Sequence, residues 1–321
     1  MKLMKVIYNR LPFRRIRCVA TVGVFDGIHL GHQFILKKVK DTARRKNLAS
    51  LLITFDIPPQ QFLDKNKLMH HRRPEKAFIG PLISRDEKID LVGSLGVDYL
   101  WFLRTKKSLL ELSARSFINY IQKYFNLDEF IVGEDFRFGR KGAGGLNDLN
   151  KLASEHGFNL SIIRKKAKNN NIISSSLIRQ FIQKGKLNQA KQLLGRYFSL
   201  KGRVVKGRGV GSKLGFSTAN ISTSDYVIPA CGVYAAYVIL GKKTYLSAIN
   251  IGILPTFGKL KKPVVEAHII NFNKDILGET IKIVFLERLR KEKKFSSSKA
   301  LASAISKDIK HLTSKYSAFL T

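Results

Sequence analysis

His29 and His32 stand three residues apart in VGVFDGIHLGHQFIL, where a β-branched run gives way to a helical pattern. At that spacing the pair straddles the expected start of a helix, whose free N–H groups and dipole attract phosphate. Gly27 and Gly31 permit a tight turn and a close approach of backbone to ligand. Two imidazoles there can hydrogen-bond to charge that develops on a phosphate under attack. Histidines that merely cap or pack are the bland alternative, and the strand–turn–helix context with both residues favours chemistry. A second cluster lies in KGRGVGSKLGFSTANI, where Gly207, Gly209, Gly211 and Gly215 precede Thr218 and Asn220. A Gly-rich turn between strands can wrap N–H groups around phosphates, though such clusters also make plain hairpins. It is not a Walker loop, because no GK[ST] follows at the required spacing. Glu266, in VVEAHII, either faces outward on an alternating strand or sits in a site as a general base. The residues alone leave those two readings equal. His268 should share its strand face and reads as a packed or exposed side chain rather than a base.

The elements that must position these groups change character along the chain. CVATVGVF, ASLLITF, YLWFL, EFIVGED and NLSIIRK read as strands. They alternate with helical segments such as GHQFILKKVKDTARRK, SRDEKIDLVGSLG and LNDLNKLASEHG. In ARSFINYIQKYF, Phe117, Ile118, Ile121 and Phe125 repeat at helical spacing. Such alternation predicts an α/β, Rossmann-like domain with a parallel sheet, assigned to residues 1–183. From Tyr197 to about Leu286, short β-branched runs between Gly, Pro, Asn and Ser predict a small all-β closed barrel within a second domain, 184–321. SSKALASAISKDIKHLTSKY predicts a C-terminal helix packed on that barrel. KKAKNNN reads as an exposed loop before Ile172.

With 321 residues the chain can hold two cores, and a net charge of +35 calls for an account. The excess is +17 over residues 1–183 and +18 over 184–321, so it is diffuse rather than gathered in a basic arm. Diffuse charge suits small anionic substrates and gives no base readout, which makes a nucleic-acid partner the weaker reading. Cys18 and Cys231 cannot form a disulfide framework or metal cluster. No segment has signal-peptide or membrane-span character, and the expected location is the cytoplasm with no membrane partner. Oligomeric state is left open.

FDGIHLGH resembles the nucleotide signature of the nucleotidylyltransferase superfamily in its FAD synthetase form. GEDFRFGRKGAGG resembles the flavin-proximal motif of that family, and ISSSLIR its second nucleotide motif. The C-terminal half resembles riboflavin kinase, whose Pro-Thr-Ala-Asn hallmark is here Ser217, Thr218, Ala219 and Asn220. In the right order, these motifs identify the chain as similar to the bifunctional bacterial riboflavin kinase/FAD synthetase family. That resemblance implies ATP-dependent phosphorylation of riboflavin to FMN and adenylylation of FMN to FAD, with Mg²⁺. It implies that Gly23, Phe25, Asp26, Gly27, His29, His32, Ser174, Ser175, Ser176 and Arg179 hold ATP for adenylyl transfer. Asp135, Phe136, Arg137, Phe138 and Arg290 would meet flavin. Gly207, Gly209, Gly211, Gly215, Thr218 and Asn220 would bind kinase ATP, with Thr218 and Asn220 on the metal and Glu266 as base. For Phe136 and Phe138, core packing is an equal alternative. Two departures stand out: Ser176 replaces the usual Thr, and DIPPQQF replaces an acidic–Pro–His–Pro segment. The lost His motivates a second reading, a kinase with an impaired adenylyltransferase half, and the charge motivates a third, a basic nucleic-acid-binding protein.

Overall fold

The computed structural model describes residues 3–8, 15–65, 80–164, 167–168, 171–207, 216–223, 226–253, 263–293 and 295–317. It divides into two compact units, Met1–Ser174 and Ser175–Thr321. In the first, β1 (Lys5–Ile7), β2 (Ile16–Val22), α1 (Leu30–Arg45), β3 (Ala49–Phe55), α2 (Pro59–Lys65), α3 (Arg85–Ser94) and β4 (Tyr99–Leu103) follow in order. Next come α4 (Lys107–Leu110), α5 (Ala114–Gln122), β5 (Phe125–Gly133), α6 (Leu146–His156), β6 (Asn159–Ile163), β7 (Ala167–Lys168) and β8 (Asn171–Ile172). Six strands form a parallel sheet in the order β1-β4-β3-β2-β5-β6. Strand order reverses between β2 and β5, the crevice where open α/β sheets bind ligands.

Local chemistry explains where these elements begin and end. Cys18 to Val22 are all buried, as a central strand covered on both faces requires. Helix α1 buries Leu36, Val39 and Ala43 along one stripe. Ser84 and Ser113 cap α3 and α5 by accepting from Glu87 N and Ser116 N. Helix α5 buries Phe117, Ile118 and Ile121 but ends at Gln122. Phe125 therefore opens β5 instead of extending the helix: its place in the i+4 series coincides with the first buried position of a strand. KKAKNNN is likewise not a plain loop, since Ala167 and Lys168 pair antiparallel with Ile172 and Asn171.

The second unit opens with α7 (Ser175–Gln183) and α8 (Leu187–Leu194). Then come β9 (Ser199–Val205), β10 (Ala219–Ser222), β11 (Gly232–Leu240), β12 (Lys243–Ile253), β13 (Pro263–Ile269), β14 (Thr280–Lys291) and α9 (Ser298–Tyr316). The strands close an antiparallel barrel, β10-β13-β12-β11-β14-β9. Alternation sets its inside: Val265, Ala267 and Ile269 of β13 are buried, whereas Glu266 and His268 lie on the other face. Helix α9 sends Leu312, fully buried, onto Ala235, Leu246, Ala248 and Leu286. No helix among the described residues is long and apolar enough to cross a membrane. Leu312→Ala should destabilise the second unit by about 2–5 kcal/mol through the cavity it leaves, read as a lower denaturation midpoint of that unit.

Candidate active sites

Strand β2 hands the chain to α1 through a turn with unusual dihedrals. Phe25 (φ 46°), Gly27 (φ 81°) and Ile28 (φ 38°) all lie at positive φ. Glycine takes that conformation freely, but a β-branched residue there is a steric outlier held in place by its surroundings. Asp26 is buried, and both its carboxylate oxygens accept from Leu82 N, at 2.9 and 3.1 Å. Val24 O accepts from Thr54 Oγ1 at 3.0 Å and from Lys88 Nζ at 2.8 Å. Gln33 Nε2 donates to Ile28 O at 2.9 Å, and Gly23 N to Ile53 O at 3.1 Å. The turn is thus tied to β3, α1, α3 and the segment leading into α3.

The turn delivers two stacked imidazoles. His29 is the N-cap of α1, and its Nδ1 accepts from His32 N at 3.3 Å. A ring nitrogen that accepts a backbone N–H carries no proton, so neutral His29 bears its proton on Nε2. The two rings stack at 3.6 Å between centroids, and Phe25 lies 4.6 Å from the His32 ring. Burial holds the His32 pKa well below the usual value, with His29 and then Lys88 acting in the same direction. His32 is therefore a neutral donor rather than a base across the physiological range. Lys88 is itself buried, and desolvation lowers its pKa to about 8 while Asp26 pulls the other way.

The other groups expected around this site are distributed between both units. Asp135 and Arg137 are exposed in the loop after β5. Phe138 is in the core beside Phe117, and half-buried Phe136 stacks on it at 5.3 Å. Ser174 ends the first unit, while Ser175, Ser176 and Arg179 lie on α7 of the second. The altered DIPP segment is a designed helix start: Pro59 opens α2, and Phe62 N donates to Pro58 O at 3.0 Å. Asp56 Oδ1 accepts from Ile57 N and Thr105 N at 2.7 and 2.8 Å.

On the barrel, cross-strand register assembles the second constellation. Asn220 pairs with Glu266, and Glu266 with Asn250, on neighbouring strands β10, β13 and β12. Asn250 Nδ2 donates to Glu266 Oε2 at 3.2 Å. Gly207 leaves room for the Asn220 amide, because a Cβ at residue 207 would fall 1.9 Å from Asn220 Nδ2. His268 Nδ1 lies 2.9 Å from Ser217 O, which ties the segment leading into β10 to β13. A cavity of about 370 Å³ opens beside Thr218, lined among others by Gly207, Ser217, Ile269, Phe272 and Lys274. Arg290 is held by Asp308 of α9, with Nε to Oδ2 at 2.9 Å, and its guanidinium lies 5.5 Å from the Phe295 ring. Gly209, Gly211 and Gly215 lie outside the described residues.

Sequence reasoning passed over Lys88 and Asn250. Lys88 shares a buried helix stripe with Val92, a place where a lone lysine is itself a signal. Asn250 falls between buried Ile249 and Ile251, on the face its strand turns away from the barrel interior.

A family model described as FAD synthetase matches residues 13–177, and one described as riboflavin kinase matches residues 194–316. The bifunctional riboflavin kinase/FMN adenylyltransferase of Listeria monocytogenes is 33% identical over 311 residues, covering 95% of this chain and 96% of that one. Its namesake in Buchnera aphidicola subsp. Schizaphis graminum is 34% identical, covering 98% and 99%. That of Escherichia coli K12 is 32% identical, covering 96% of each. A crystal structure described as a macrolide-efflux protein from Streptococcus pneumoniae has the same fold, with a TM-score of 0.83 at 26% identity over 97% of this chain and 99% of that one. With two tandem family models and identity above three in ten along nearly its whole length, the chain belongs to the bifunctional riboflavin kinase/FMN adenylyltransferase family.

Proposed function

We propose that the chain makes FMN from riboflavin and FAD from FMN, using ATP at two separate sites. The observation that carries this reading is that each matched segment contains its own polar site: the histidine turn in one, the Glu266 row in the other. Adenylyl transfer is assigned to residues 1–183 and the kinase to 184–321, with both reactions in the cytoplasm. Neither the impaired-half reading nor the nucleic-acid reading gains support from the relatives, and the DIPP segment is locally well formed.

In adenylyl transfer an FMN phosphate oxygen attacks the α-phosphorus of ATP, and pyrophosphate leaves. Phosphate monoesters have a second pKa of about 6, so the nucleophile is already ionised and the site needs no base. What it needs is donors placed where charge accumulates. His29 and the neutral His32, with the N-terminus of α1, supply them. Gly23, Phe25, Asp26 and Gly27 shape the turn around the nucleotide. Ser174, Ser175 and Ser176 present hydroxyls to phosphate, and Arg179 meets a β- or γ-phosphate as a planar fork. Asp135, Phe136, Arg137 and Phe138 form the flavin-side loop.

In the kinase reaction the riboflavin 5′-hydroxyl gives its proton to Glu266, its oxygen attacks the γ-phosphorus, and ADP leaves. Asn250 orients the Glu266 carboxylate. Both families work with a divalent metal, and the donors fit Mg²⁺: the Thr218 hydroxyl and Asn220 amide oxygen are hard, and Gly207 leaves space for that amide. Mg²⁺ bound there would screen the ATP phosphates. The cavity beside Thr218 takes the nucleotide, and Gly207, Gly209, Gly211 and Gly215 belong to its phosphate loop. Arg290, steadied by Asp308, lies toward flavin.

Product analysis tests this directly. Purified protein with riboflavin, ATP and Mg²⁺ should yield FAD, as should a parallel reaction started from FMN. Glu266→Gln should slow FMN formation by about 10²–10⁴-fold and leave the FMN-started reaction unchanged. Asn250→Ala should slow FMN formation by about 10–100-fold by loosening the carboxylate. Absence of any flavin product in both reactions would overturn the assignment.

A further inference from the structure

Lys88 stands out among the buried groups because its ammonium meets few polar partners. It is 7% exposed, and its ammonium is enclosed by the turn, β3 and β4. The Val24 carbonyl it touches already accepts from Thr54 Oγ1, so the peptide would be satisfied without it. Besides the attraction of the buried Asp26 carboxylate, its remaining contacts are weak: Thr54 Oγ1 at 3.3 Å and the Phe102 ring at 6.0 Å. Burying an ammonium on these terms costs free energy that Asp26 offsets only in part, since desolvation is the larger effect on its charge. The carbonyl it holds lies directly before a run of positive φ at Phe25, Gly27 and Ile28.

We propose that Lys88 is a positioning residue for adenylyl transfer. Its ammonium clamps the Val24 carbonyl, and through it the strained turn that presents His29 and His32 to the nucleotide. The inference rests on that turn being the adenylyl-transfer site. Lys88 touches no reacting atom. It fixes the peptide from which the turn departs, and its positive charge beneath the turn adds to the α1 dipole in favouring an arriving polyanion. The titratable groups facing it are Asp26 from the turn, which stabilises its charge, and His32 from α1, which the charge helps keep neutral. Thr54 of β3 and Phe102 of β4 contribute none.

The pH dependence separates positioning from stability. Lys88 has a pKa of about 8 in the folded chain against 10.5 unfolded. Between those values the unfolded chain holds more protons, so stability from this group rises with pH. Adenylyl transfer should do the opposite and fall above pH about 8 as the clamp loses its charge. The experiment measures FMN-to-FAD kcat and ATP KM across that range for wild type, Lys88→Met, Lys88→Arg and His29→Ala, with FMN formation from riboflavin in the same preparations as the folding control. Lys88→Met should lower adenylyl-transfer kcat by about 10–100-fold and erase the alkaline limb, with FMN formation within about twofold. Lys88→Arg should recover activity and hold it to higher pH, because a guanidinium does not titrate there. Wild-type rates and limb in Lys88→Met would overturn the proposal, as would equal loss of both reactions. Should Lys88→Met not fold, a wild-type profile flat through pH 8 overturns it instead. His29→Ala retaining full FAD synthesis would overturn the site itself, whereas its loss beside an unaffected Lys88→Met would overturn only the role of Lys88.

Discussion

The turn from β2 to α1 constrains everything around it. Three of its residues lie at positive φ, and at the two that are not glycine, Phe25 and the β-branched Ile28, this costs on the order of 1–3 kcal/mol each. The conformation persists because Asp26 takes Leu82 N, Lys88 and Thr54 take Val24 O, and Gln33 takes Ile28 O. These bonds come from α1, β3 and the entry to α3, so the placement of those elements around the sheet is also what sets the angle of the histidine pair. A helix N-terminus alone would attract anions. Tied into this turn, it presents two stacked imidazoles in one orientation, with His32 held neutral by burial, at the carboxyl edge of the sheet where strand order reverses.

The barrel solves a different problem. Its inward side is lined by alternating buried residues such as Val265, Ala267, Ile269, Leu200 and Val204. On the other face of β13, antiparallel register sets side by side residues that are far apart in sequence. Asn220, Glu266 and Asn250 share one row because their strands pair at those positions. His268, one step along the same face, fastens the Ser217 backbone. Polar groups on this face are organised by their neighbours rather than by burial.

Helix α7, which carries Ser175, Ser176 and Arg179, packs within the second unit. Ala230 N donates to Ile182 O, and Arg288 lies under Gly185 while its guanidinium donates to Cys231 O.

Much of the protein was legible in its residues. Period-2 and period-3.6 patterns mark the parallel sheet, the barrel and the C-terminal helix, because burial of one face is written into spacing. The strand–turn–helix joint at His29 and His32 was visible for the same reason, and motif order pointed to flavin chemistry. Three features were decided only by the tertiary structure. Phe125 fits a helical series yet begins a strand, since i+4 spacing cannot tell a helix from the first buried residue beyond its end. Glu266 has Asn250 and Asn220 beside it only because strands distant in sequence pair there, a juxtaposition that local spacing does not encode. Lys88 sits 64 residues from the carbonyl it holds, a contact that no local pattern encodes because only the packing of α3 against the sheet creates it.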